Sequence, residues 1–412
     1  MAVLAAALFA LLAFAPLASA TPDPVESGTT TVTLNKGWTN YLKTFGIKIQ
    51  KIGNTKIKGT KVTFKVSGGE MDPTNGLGTL TLAGGLKFKA GKKSTTMKAL
   101  VLDTGKSVLT AKVSGKKVKF AKLKGLSYSR NGFGVNVKLK TLKLENAAAK
   151  QLNKKLGFAK GKPKPFLAGK NVGKSSSESQ PATVAIIPGG NLIFNGSPVL
   201  LGKLKNVKAE VQLISPTTQT GTTFTSPITG GTVSPLGTAG TVMSSGGLKL
   251  VQHLPLSATS SIDTTITLGA MYLDLSAKTV TVEVIAESNA ESPSGSGKKP
   301  LNLGNLGRSS IGDLTVTGVS ADAATRTVTV NSAAVLQPIS AEVLQGFVSV
   351  YRAYVEGGTE LGFCEASPGH CASQSEKEEA AALAKKEGEE VEKNHISSGE
   401  ALGTFSFTTQ TQ

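Results

Sequence analysis

The sequence predicts an all-β protein: two tandem antiparallel β-sandwich modules with short helices. Three observations carry this. Apolar residues alternate with Lys or Thr over long stretches such as "TKVTFKVSG" and "FGVNVKLKTLKLE", and period two means one buried face and one wet face. Aromatic residues make up only 5% of the 412 residues while glycine reaches 47, a mixture that suits short strands and many turns. Finally, residues 68–87 align without a gap to residues 230–249, at a constant offset of 162. Gly68, Gly69, Pro73, Gly78, Thr79, Gly84, Gly85, Leu86 and Lys87 all recur in that alignment. Glycines tolerate positive φ and let backbones approach closely, so the repeated string is framework, and its repetition is duplication of one β-rich module.

The elements follow in order. Residues 1–20, "MAVLAAALFALLAFAPLASA", are an apolar run ending in a small-x-small site. They predict a signal peptide cut after Ala20, with an uncleaved anchor as the alternative. No later segment is apolar enough to span a bilayer, so the expected location is secreted or at the cell surface. The first module covers 21–174. In it "GWTNYLKTFG" and "AAAKQLNKKLG" predict short helices, each closed by a Gly suited to a helix C-terminus. Residues 175–182, inside "GKSSSESQPAT", are Ser-rich and polar and predict a linker.

The second module covers 183–412. It resumes strand patterns in "ATVAIIPGGNLIFNG", "GGLKLVQHLPL" and "RTVTVNSAAVL", with a polar loop near 295. Residues 374–393 are charged and Ala-rich. They predict either a solvated helical insertion or a partly disordered one. Two cysteines, Cys364 and Cys371, flank "EASPGH". In an oxidising compartment they predict a local disulfide. A metal site using His370 would be one ligand short of a tetrahedron.

Charge is uneven. Residues 21–174 carry 32 Lys and Arg against 6 Asp and Glu, and the rest of the chain carries 14 against 21. The lysines of the first module fall on outward strand faces. One function they predict is a structural envelope module whose basic sheet holds anionic polymers: teichoic-type phosphates, acidic polysaccharide or lipid headgroups. Nucleic acid is disfavoured by export and by the lack of interleaved aromatics. No G-x-S-x-G elbow, phosphate-cradling loop or carboxylate pair stands out, and the three histidines are scattered. The expectation is a non-catalytic protein without a metal centre.

The strings "VSGGEMDPTNGLGTLTLAGGLKFKAG" with "VLDTGKSVLTAKV", and "PITGGTVSPLGTAGTVMSSGGLKL" with its continuation, resemble the HtaA-domain family of cell-envelope haem-uptake proteins. The resemblance covers most of both halves. It implies a β-sandwich with short helices, and haem bound through a tyrosine on an early helix with a histidine after a G-x-x-x-F-x-G-H-like pattern. In the first module Phe45 occupies the tyrosine slot, Tyr41 sits one helical turn earlier, and Gly91 falls at the histidine position. In the second, His253 occupies the histidine position and Val207 the tyrosine slot. Tyr41 and His253 are therefore the candidate haem ligands that the resemblance implies.

Overall fold

A computed structural model describes residues 22–159, 163–257, 260–290, 304–365 and 374–412. The expected signal peptide and the polar loop near 295 lie outside these residues, as do Cys371 and His370. The Cys364 side chain is likewise not described, so the expected disulfide falls outside them too. The chain divides into two units, one ending at Val184 and the other running from Ala185 to Thr411.

In the first unit β1 (Asp23–Leu34) leads into α1 (Lys36–Thr44). Then come β2 (Ile47–Ile52), β3 (Lys56–Lys58), β4 (Lys61–Met71), β5 (Gly78–Ala90) and β6 (Lys93–Asp103). They are followed by β7 (Val108–Val113), β8 (Lys116–Asn131), β9 (Gly134–Leu144), α2 (Asn146–Leu156) and β10 (Asn171–Pro181). All pairings are antiparallel. The sheet runs β5–β6–β7–β8–β9–β10–β1–β4, and β4 pairs back onto β5, closing a ring of eight strands. The all-β expectation holds, with the sandwich closed into a barrel. Inward residues such as Val62, Phe64, Leu80, Leu102 and Val137 fill it, and α1 adds Trp38 and Leu42 to the same core. The interior retains a cavity of only about 30 Å³.

Local chemistry explains the helix ends. The Asn35 side chain accepts the Trp38 N–H at 3.0 Å and caps α1. Gly157, at φ 89°, ends α2 in the left-handed conformation. Buried Asn153 then clamps the returning chain, donating to Phe166 O at 2.8 Å and accepting Phe166 N–H at 3.2 Å.

The predicted linker at 175–182 is corrected. All but its last residue belong to β10, which is paired on both sides, with β1 and with β9. Ser175, Ser177 and Ser179 alternate inward and are buried. Ser177 Oγ lies 2.9 Å from Thr30 Oγ1, and Ser179 Oγ donates to Val135 O at 3.1 Å. A strand whose inward residues are hydroxyls has lost the apolar half of its period-two signal, and so resembles a linker.

The second unit repeats this plan. After β11 (Val184–Ala185) come β12 (Asn191–Gly196), α3 (Pro198–Asn206), β13 (Ala209–Ile214), β14 (Thr218–Thr220) and β15 (Thr223–Val233). Next are β16 (Gly240–Ser244), β17 (Gly247–Ser257), β18 (Ser260–Leu268), β19 (Tyr272–Asp274) and β20 (Thr279–Ser288). The unit ends with β21 (Gly304–Asp322), β22 (Thr327–Leu336), α4 (Pro338–Glu365), α5 (Gln374–Glu392) and β23 (Ala401–Gln410). Here β21 pairs with β20 as well as β22, and the ring closes again. The offset of 162 extends upstream of residues 68–87: α1, β2, β3 and β4 map residue for residue onto α3, β13, β14 and β15. The N-cap Asn35 maps onto Ser197, whose side chain accepts Leu200 N–H.

Two glycine positions show why the motif is kept. At Gly84 (φ +91°) and Gly246 (φ +84°) an added Cβ would stand 2.3 Å from the hydroxyl oxygen of Thr55 and of Thr217, respectively. Those buried threonines accept the next N–H, from Gly85 at 2.8 Å and from Gly247 at 2.9 Å. At this corner β5 changes partner, from β4 to β2. In the second unit the same corner splits the strand into β16 and β17.

The two units differ most after β22. Where the first unit has α2 of 11 residues, the second has α4 of 28 and α5 of 19. The charged segment at 374–393 is almost wholly helical and packs on α4 as a hairpin. Ala380, Ala384, Gly388 and Val391 form its buried seam, and Arg352 bonds Glu356 on its own helix and Glu392 across the pair.

Candidate functional site

The barrel interior of the first unit is filled, so a ligand site there has to lie on its outside. The equivalent of one groove stands beside the first helix of each unit. In the first it has a volume of about 800 Å³, between α1, β2 and β3. In the second it has a volume of about 1260 Å³, between α3, β13 and β14, and is extended by β17 and α4. Nine of the eleven residues lining the first groove sit 162 positions before a residue lining the second. The groove is therefore part of the duplicated module.

Its chemistry has diverged. The first groove is lined by Leu34, Ile47, Ile49 and Ile57 with polar and lysine residues, and holds no His, Cys, Met or Tyr. In the second groove Leu201, Leu204, Val211, Phe224, Val251 and Leu254 supply apolar wall. His253, Tyr351 and Tyr354 join them, with Lys205 and Lys208 at the same groove.

His253 projects from β17 with its side chain 62% exposed. Its Nδ1 lies 2.6 Å from Asp263 Oδ1 on the paired strand β18. The other Asp263 oxygen accepts Ser261 Oγ–H at 2.7 Å, and Asn289 Oδ1 accepts the Asp263 N–H. The hydrogen bond to His253, and then that from Ser261, hold the Asp263 carboxyl below the usual carboxylate range. An ionised carboxylate only accepts, so the His253 Nδ1–H donates to Asp263 and Nε2 is the ring nitrogen left outside that bond. Among the described residues nothing bonds Nε2. A carboxylate on the other ring nitrogen fixes the orientation of an imidazole and leaves Nε2 as the nitrogen that can ligate.

The long α4 brings two aromatics to the groove. Tyr354 donates to Pro255 O at 3.0 Å, and its ring stacks with Tyr351 at 6.1 Å between centroids. Among the described residues the Tyr351 hydroxyl has no partner. Next to His253, Gln252 is fully buried and donates to Val207 O at 2.6 Å and Phe347 O at 3.1 Å. It fastens β17 to both α3 and α4.

Tyr41 is placed differently. Its hydroxyl donates to Lys164 O at 3.2 Å, and its ring packs edge-on to Phe45 at 5.2 Å. It does not line the first groove, while Trp38 on the same helix turns into the barrel core. Its counterpart in the second unit is Lys203, which donates to His395 O at 2.6 Å and bridges Glu400 at 2.8 Å. Both side chains tie the first helix to the segment preceding the last strand. Tyr41 is thus a tether here. Val207, in the other tyrosine slot, is fully buried at the end of α3, and Gly91 lies in the exposed turn after β5.

Sequence reasoning missed Tyr351 and Tyr354. Their signal was "YRAY", two tyrosines three apart on a helix, about 100 residues from the strand they face. Among the described residues there is no cluster of three or more His, Cys, Asp or Glu that could hold a metal ion, and no helix long and apolar enough to cross a membrane.

Fold and groove together define a tandem β-barrel protein with one external groove per module and a carboxylate-oriented histidine in the second. No protein-family model matches the chain, and no curated protein matches it. Among solved structures it is similar to the N-terminal domain of HtaA from Corynebacterium glutamicum, at 13% identity and a TM-score of 0.32, covering 55% of this chain and 98% of that one. The C-terminal domain of the same HtaA matches at 13% identity and a TM-score of 0.29, covering 39% and 98%. The heme-binding protein HtaB from the same organism matches at 12% and 0.32, covering 56% and 96%.

Proposed function

We propose that this is an exported, non-catalytic haem-binding protein of the cell envelope, with its site in the groove of the second unit. The observation that carries this is the free Nε2 of His253, oriented by Asp263 and standing in a groove whose wall is partly apolar and also carries Lys205, Lys208 and Glu210. Bound haem would supply an iron needing a strong axial donor beneath an apolar slot. The donor set fits: His253 would ligate, the leucines, valines and Phe224 would cover the macrocycle, and Lys205 and Lys208 would meet the propionates. The Tyr351 hydroxyl adds a second polar group on the α4 side. The groove exceeds the roughly 300–1,000 Å³ typical of small-molecule sites, as suits a large flat ligand. Tyr41 takes no part, because its hydroxyl is already used as a tether.

Haemin titration of the full chain tests this reading. A shifted Soret band is expected at stoichiometric haemin, lost in His253→Ala and kept in Tyr41→Phe. His253 is largely exposed, so its removal leaves the fold intact. A wild-type chain with no shift, or a His253→Ala spectrum identical to wild type, contradicts the assignment.

A further inference from the structure

Strands β6 to β9 of the first unit carry a cationic face that the haem reading does not use. Residues 104–144 contain ten lysines and one arginine and no Asp or Glu. The register sets these lysines against each other: Lys98 opposes Lys112, Lys112 opposes Lys117, and Lys122 opposes Lys143. All five are exposed. Like charges directly opposite on a sheet destabilise it, yet among the described residues no carboxylate pairs with any of the five. The nearby carboxylates are Asp103 at the end of β6, which meets Lys106 at 3.6 Å, Glu145 just past the end of β9, and Glu178 on β10. Strand β1, across the ring, carries no lysine.

Two ordinary reasons for outward lysines fail here. Lysine guards open sheet edges against pairing, but β7 and β8 are interior to a closed ring and have no edge. Solubility is served by charges of mixed sign, and this face has one sign only. We infer that the β6–β9 face binds a flexible linear polyanion, with phosphates as the charged groups. Lysines lie about 4.8 Å apart across strands and about 6.7 Å apart at alternate positions along them, a dense two-dimensional array of point charges. Lysine is a compact charge without arginine's bidentate fork, so the array reads charge density rather than a single group. A convex barrel wall presents its lysines radially. A flexible chain can follow that curve, whereas a flat lipid surface meets it along a line.

The inference stands apart from haem binding, and its test uses the full chain. Lys98, Lys112, Lys117, Lys122 and Lys143 are replaced together by Gln. A control replaces Lys150, Lys154, Lys155, Lys164 and Lys170 by Gln, with the same change in net charge. The probes are long-chain inorganic polyphosphate and vesicles of phosphatidylcholine with phosphatidylglycerol. Wild type and control should bind polyphosphate with steep salt dependence between about 50 and 200 mM. The β6–β9 variant should bind at least about tenfold more weakly, with a slope shallower by about 0.7 for each lysine–phosphate pairing removed. It should also melt no lower than wild type, since like-charge pairs are relieved. Equal loss in both variants, a slope insensitive to the five lysines, or tighter binding to the vesicles than to polyphosphate overturns the inference.

Discussion

Lys203 and Glu400 show how single residues carry the fold's response to pH. Burial pushes the Glu400 carboxyl up, but the Lys203 ammonium at 2.8 Å and the Ser397 N–H outweigh it and hold it below the usual range. A depressed folded value means that this carboxylate adds stability above its unfolded value of about 4.3, and that the contribution is lost as pH falls through the folded one. Glu400→Gln should therefore cost about 1 kcal/mol at neutral pH. The gap to wild type should be flat between about pH 6 and 8 and should close below about pH 4. Thermal unfolding across that range checks this, and a gap that persists in acid would count against the bridge. The same residue-level comparison explains Tyr41. The sequence offered a tyrosine on an early helix, but which atom its hydroxyl meets depends on Lys164, 123 residues away.

At the scale of elements, the β5 corner is the most constrained feature of each unit. Gly84→Ala would force a Cβ against the Thr55 hydroxyl at 2.3 Å and the Ile52 carbonyl at 2.9 Å, at a positive φ. A loss of about 2 kcal/mol or more is expected, and likewise for Gly246→Ala. Chemical denaturation of each variant should show the loss in the unit that carries the substitution, and a neutral effect would refute the corner's role. Most strands were legible because Lys and Thr alternate with apolar residues, and the first two helices because a glycine closes each. β10 was not, since its inward residues include Ser175, Ser177 and Ser179, and the hydroxyl bonds of Ser177 and Ser179 that accompany their burial leave no apolar alternation to read. The α4–α5 hairpin was only half legible. Its seam is built from Ala380, Ala384 and Gly388, too small to give an apolar periodicity. His253 was found through a family pattern, whereas Tyr351 and Tyr354 reach the groove only through the length of α4.

Across the whole chain, duplication supplied two equivalent grooves and divergence gave them different chemistry. The first unit kept a groove of aliphatic, polar and lysine residues without a His, Cys, Met or Tyr donor and gathered lysines on its barrel wall. The second is mildly anionic, lengthened its penultimate helical segment, and set His253, Asp263, Tyr351 and the lysines Lys205 and Lys208 around its groove. The central claim is that haem iron is held at His253 Nε2. Diffraction at the iron absorption edge, from crystals of the full chain grown with haemin, locates that iron directly. The account predicts one anomalous peak in the second-unit groove, at His253 Nε2. A peak at Tyr41, or on a barrel wall away from either groove, would contradict it.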